Sequence, residues 1–118
     1  MPSPELHPLA ATVKAKLTDP TQPFSLLVLM KVKPEKVAGF PAFFADAVAS
    51  TRKEPGNLAY DLYLDSDNPH GYILVERWKS LADLDAHLKT PVIDKLLAGF
   101  PENLDGDAEL KVGLPVGE

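Results

Sequence analysis

Apolar and polar positions along this chain switch repeatedly between the period of a strand and that of a helix. Phe24 to Lys33 reads as a strand. Leu26 to Met30 is continuously apolar, as in a strand covered on both faces, and Lys31, Val32 and Lys33 then alternate. From Pro34 to Lys53 the period is helical: Val37, Phe40, Phe44, Ala47 and Val48 recur at spacings of three and four. Arg52 and Lys53 end this stretch, and Pro55-Gly56 stops it. Pro41 falls inside it, where a proline costs a helix about 3 kcal/mol. The pattern therefore predicts a kink at Pro41, or a short turn and a helix that starts near it. Next, Leu58, Tyr60, Leu62 and Leu64 alternate with Ala59, Asp61 and Tyr63 as a second strand. Asp65 to Gly71, with Asn68-Pro69, is a hairpin loop, and Tyr72 to Trp78 returns antiparallel.

Ser80 and Asp83 have the spacing of a capping box for a helix that runs through Leu84 and Leu88. Thr90-Pro91 opens another helix, which buries Val92, Ile93, Leu96, Leu97 and Phe100. Gly106 introduces a last alternating strand, Ala108 to Leu114. The order β-α-β-β-α-β, with a broken second helix, predicts an α+β ferredoxin-like fold around an antiparallel sheet. Helices cover one face of such a sheet. Leu27 and Leu29 would be exposed on the other in a monomer, so a homodimer through the sheet is expected.

Ahead of this pattern, Leu6, Leu9, Val13 and Leu17 are spaced for a short helix over about residues 7–17, ended by Asp19-Pro20. Of the twelve prolines, Pro2, Pro4, Pro8, Pro20 and Pro23 lie in this region. The expected division is an N-terminal extension, 1–23, and one domain, 24–118. The extension would pack on its own domain or on a partner subunit.

With 118 residues, a second core would not fit. The net charge of -5 and the scattered lysines and arginines provide no basic face for nucleic acid. The chain has no cysteine, which excludes disulfides, thiolate metal sites and a thiol nucleophile and fits a reducing compartment. The longest apolar run, Leu26 to Met30, is too short for a membrane span, and Met1 to Leu6 does not read as a secretory signal. A cytoplasmic location is expected. His7, His70 and His87 lack metal-ligand spacing, and no phosphate loop, nucleophile elbow or nucleotide fingerprint occurs. Neither a metal nor a cofactor is expected.

Two segments carry a further signal. Thr51-Arg52-Lys53-Glu54-Pro55-Gly56-Asn57-Leu58-Ala59-Tyr60 leads into the second strand, and Tyr72 to Pro91 contains E-x-W at Glu76 and Trp78, then H-L-x-T-P from His87. With Val32-Lys33-Pro34-Glu35 they resemble the antibiotic biosynthesis monooxygenase family over about Phe24 to Leu114. The resemblance implies a dimeric α+β barrel with a pocket between helices and sheet. Some members oxidise quinols or anthrones with O2 and no metal or flavin. Others degrade heme, and one branch isomerises a phosphorylated sugar-derived signal, so the fold does not settle the chemistry. On this resemblance Val28, His87 and Leu97 stand where heme-degrading members carry Asn, Trp and His. The axial ligand is then missing, and heme degradation is not expected. Val92 replaces a second histidine that many members carry after the proline.

His87 is the leading candidate for chemistry. It lies about 60° from Leu84 on a helical wheel, at the edge of the buried stripe. A neutral imidazole there can take a proton from a phenol or hydroquinone, and the resulting anion is electron-rich enough to reduce O2. Glu76, on the same strand face as Tyr72, Leu74 and Trp78, is expected to orient His87. Trp78, Tyr60 and Tyr72 would wall an aromatic pocket, with Arg52 and Asn57 near its mouth. The expected function is a cofactor-independent monooxygenase acting with O2 on a small aromatic, quinol-like substrate. The alternatives are a non-catalytic dimeric binding or stress protein, or an isomerase, whose phosphate grip would have only Arg52 and Arg77 to draw on.

Overall fold

A computed structural model of the chain describes residues 5–117. The first four residues of the predicted extension, and Glu118, lie outside the described residues. In order, the elements are α1 (Pro8–Lys14), β1 (Phe24–Lys31), a 3-10 turn (Pro34–Lys36), α2 (Phe40–Thr51), β2 (Asn57–Leu64), β3 (Gly71–Trp78), α3 (Leu81–Leu88), α4 (Pro91–Ala98), α5 (Phe100–Asn103) and β4 (Glu109–Gly113). The choice that Pro41 posed is resolved as a turn followed by a helix. Pro41 occupies the first turn of α2, where its missing N–H has no intrahelical partner to lose.

The strands form one antiparallel sheet in the order β2-β3-β1-β4. This corrects the expected dimeric α+β barrel. The sheet is open, with β2 and β4 as separate edges. What stands is the ferredoxin-like arrangement with helices on one face. On the other face Leu27 and Leu29 are half-buried, not exposed as expected.

The strict alternation expected for β2 also fails. The register with β3 slips between Asn57 and Ala59, a bulge that leaves Leu58 43% exposed while Tyr60 is buried. The Asn57 side-chain amide pins this bulge, donating to the Ala59 carbonyl at 3.0 Å. Leu64, at the far end, is exposed as well.

The core lies between sheet and helices. Leu26, Val28 and Met30 of β1 and Leu74 and Trp78 of β3 meet Phe40, Phe44 and Ala47 of α2, Leu84 and Leu88 of α3, and Ile93 and Leu96 of α4. From outside the sandwich, α1 buries Ala10 and Val13. Among the described residues no helix is long and apolar enough to cross a membrane.

Candidate active site

Between the sheet and its helices lies a cavity of about 310 Å³ with mostly apolar walls. Four ionisable residues line it: Tyr60 from β2, Glu76 from β3, His87 from α3 and Asp107 from the loop before β4. His87 comes to this position through the start of its helix. The Ser80 hydroxyl accepts the Asp83 N–H and donates to the Asp83 carboxylate at 2.8 Å. That cap sets the phase of α3, so that Leu84, His87 and Leu88 share its buried side.

The imidazole is 2% exposed, with the Trp78 ring 4.6 Å and the Tyr60 ring 5.4 Å away between centroids. Its Nδ1 is 3.2 Å from Glu54 Oε2, and the Thr51 hydroxyl is 3.5 Å away on the same nitrogen. Burial pushes the His87 pKa down to about 4, so the ring is neutral near pH 7. The contact with Glu54 is therefore a hydrogen bond from Nδ1–H to a carboxylate. With the proton held on Nδ1, Nε2 carries the free lone pair.

Glu76 is buried to 4% exposure, and its Oε1 accepts the Trp78 indole N–H at 2.9 Å. Burial pushes its pKa up to about 7; the indole bond opposes the shift and the nearby Glu54 charge adds to it. Near neutrality this carboxyl is poised between its two protonation states. Burial raises the Tyr60 phenol well above its usual range, with Glu76 and Glu54 adding to the rise, and it stays a hydrogen-bond donor.

The expected residues thus divide into groups. His87, Glu76 and Tyr60 meet at the cavity. Trp78 stands behind them, packed on His87 and bonded to Glu76. Tyr72 points elsewhere: its hydroxyl donates to the Val37 carbonyl at 3.0 Å and its ring packs on Phe40. Arg52 lies outside the cavity, bonded to the Tyr60 carbonyl and paired with Asp61 at 2.7 Å. Asn57 holds the β2 bulge. Glu76, expected to orient His87, is instead tied to Trp78, and Glu54 makes the imidazole contact.

Thr51 and Glu54 were missed by the sequence reading. Thr51 continues the Phe44–Ala47 stripe at a spacing of four, a signal that was available. Glu54 sits in the turn after α2, its N–H bonded to the Thr51 carbonyl at 2.9 Å, and no periodicity marks it. The positions aligned with a heme site, Val28 and Leu97, are apolar walls of the cavity. Among the described residues no group of three or more His, Asp or Glu side chains is placed to hold a metal.

A neutral imidazole, a carboxyl with its pKa shifted to about 7 and a phenol are thus set around one mostly apolar cavity in a ferredoxin-like fold. Residues 23–98 match the antibiotic biosynthesis monooxygenase family, and the chain belongs to it. Two relatives are similar to this chain in sequence. The “Putative monooxygenase YcnE” of Bacillus subtilis is 34% identical over 72% of this chain and 90% of its own length. The “Uncharacterized protein sll1783” of Synechocystis is 32% identical over 70% of this chain, which spans 56% of that longer relative. Among solved structures, Rv0793 of Mycobacterium tuberculosis superposes with a TM-score of 0.76 at 27% identity, covering 82% of this chain and 98% of the other. Membership supports a monooxygenase-type oxidoreductase at the level of the family.

Proposed function

We propose that the protein is a cytoplasmic, cofactor-independent monooxygenase that oxidises a small, uncharged aromatic of the quinol type with O2. One observation carries this reading. The buried His87 imidazole, held through Nδ1 by Glu54, lines a mostly apolar cavity of about 310 Å³. That volume is at the lower end of the roughly 300–1,000 Å³ of small-molecule sites.

In this scheme His87 Nε2 takes the phenolic proton of the substrate, and the phenolate supplies electrons to O2. The stoichiometry closes without another reductant. A hydroquinone and O2 give a hydroxyquinone and water; a CH2 flanked by phenolic rings and O2 give a ketone and water. Tyr60 donates a hydrogen bond to a substrate oxygen, and Glu76 supplies or accepts the second proton. The apolar wall keeps water from the anion and strengthens these interactions. Among the described residues no lysine or arginine lines the cavity, which disfavours the phosphorylated substrate an isomerase of this family would need. Arg52 is paired with Asp61, and Arg77 is exposed.

The test is oxygen uptake by chelator-treated protein against a panel of quinols, anthrones and polyphenols, with His87→Ala in parallel. Uptake that falls at least about 100-fold in the variant is the expected result. Binding without uptake, with an affinity that survives His87→Ala, would replace this reading with that of a non-catalytic binding protein.

A further inference from the structure

The wall of the cavity opposite the sheet includes residues from outside the segment that matches the family. Leu9 and Val13 of α1 line the cavity together with Leu84, His87 and Leu88 of α3, whereas the family match begins at residue 23. We infer that α1 is the specificity wall of this cavity, and that Leu9 and Val13 set the size of the aromatic molecule it admits. The inference rests on the proposed role of the cavity as the substrate site.

Seven residues of helix have little stability of their own, so α1 owes its place to what holds it. At its start, the His7 N–H donates to Asp85 of α3 at 2.8 Å, and the His7 ring accepts the Leu9 N–H at 3.1 Å. Asp85 is in turn paired with Lys89 at 2.8 Å. After the helix, the Pro20 carbonyl accepts the N–H of Leu81, the first residue of α3. The segment is thus fastened at both ends to the helix that carries His87. Between these ties Ala10 is 0% and Val13 1% exposed, so the contact is packed rather than loosely laid. A side chain added or removed at position 13 changes the volume of the cavity that it lines.

The experiment is calorimetric titration of the full-length protein with 1-naphthol and with the larger 9-phenanthrol, comparing wild type, Val13→Ala, Leu9→Ala, Val13→Phe and, on the exposed side of α1, Thr12→Ala. The expected result is a shift in the ratio of the two affinities. Val13→Phe weakens 9-phenanthrol at least tenfold relative to 1-naphthol; Val13→Ala and Leu9→Ala favour it severalfold; Thr12→Ala changes nothing. A ratio constant within twofold across variants that melt cooperatively overturns the inference. Should neither phenol bind, 129Xe NMR decides, since xenon asks only for an apolar void. Xenon binding that is lost in Val13→Phe supports the wall; binding unchanged in that variant, or absent in wild type, overturns it. Binding rather than turnover is read throughout, so a failed oxygen-uptake assay leaves this result standing.

Discussion

Two parts of the cavity lining, the surroundings of His87 and helix α1, are built on different principles. Around His87 the structure collects Thr51, Glu54, Tyr60, Glu76 and Trp78 from α2, the turn after it, β2 and β3, and every polar group acts on a neighbour's protonation or position. At α1, Leu9 and Val13 bring no chemistry to the cavity, only volume. Burial has opposite uses on the two sides. It holds His87 neutral and lifts Glu76 towards neutral pH, whereas at α1 it is the ordinary consequence of packing apolar side chains. The polar side should therefore govern rate and pH dependence, and the apolar side should govern which molecules enter.

The largest expected effect tests that division directly. His87→Ala lowers oxygen uptake by roughly 10²-fold or more, whereas Val13→Ala changes it less than tenfold on the same substrate. Equal losses would erase the distinction. Trp78→Phe removes the indole donor from Glu76 and is expected to cost about 1–3 kcal/mol in urea unfolding at pH 8, where the carboxylate is ionised. Glu54→Gln keeps an acceptor for Nδ1–H but loses its charge. It should reduce kcat by about tenfold with little change in KM or Tm, as expected of a partly buried positioning residue.

Stability against pH separates the two buried titrating groups. The folded-state pKa of His87 lies below its unfolded value, so its contribution is present above about 6.5 and is lost as pH falls towards about 4. Glu76 is shifted upward, so its contribution is present below about 4.5 and is lost as pH rises towards about 7. Over the shared window the two slopes oppose each other, and the wild-type profile should be nearly flat from these sources. Glu76→Gln should expose a loss of stability on acidification below about pH 6.5, and His87→Ala a loss on alkalinisation between about pH 4.5 and 7. Thermal melts across that range read both. The smallest effect expected is that of Asn57→Ala. Loss of the amide bond at the β2 bulge costs about 1 kcal/mol and leaves ligand affinities unchanged, since the side chain lies away from the cavity.

Much of the framework was readable along the chain because its causes are local. The E-x-W alternation put Glu76 and Trp78 on one strand face, the Ser80 cap set the phase that buries His87, and Pro41 marked the start of α2. Each of these depends on neighbours within a few residues. Strand edges were less legible. The extra residue at Leu58 alters pairing without breaking the apolar alternation, and half-burial of Leu27 and Leu29 reflects the shape of the whole sheet face.

By itself, then, the sequence determined the order of the main strands and helices and the burial of His87 on its helix, since periodicity and capping act over one or two helical turns. Which carboxylate meets that histidine was decided only in three dimensions. Glu54 and His87 are separated by 33 positions and joined where the end of α2 packs beside α3. The same holds for α1, whose apolar stripe announced a docking helix but not the cavity it would close. The open sheet, too, was a tertiary outcome: strand order and edge pairing arise from contacts between distant segments, which no local pattern encodes.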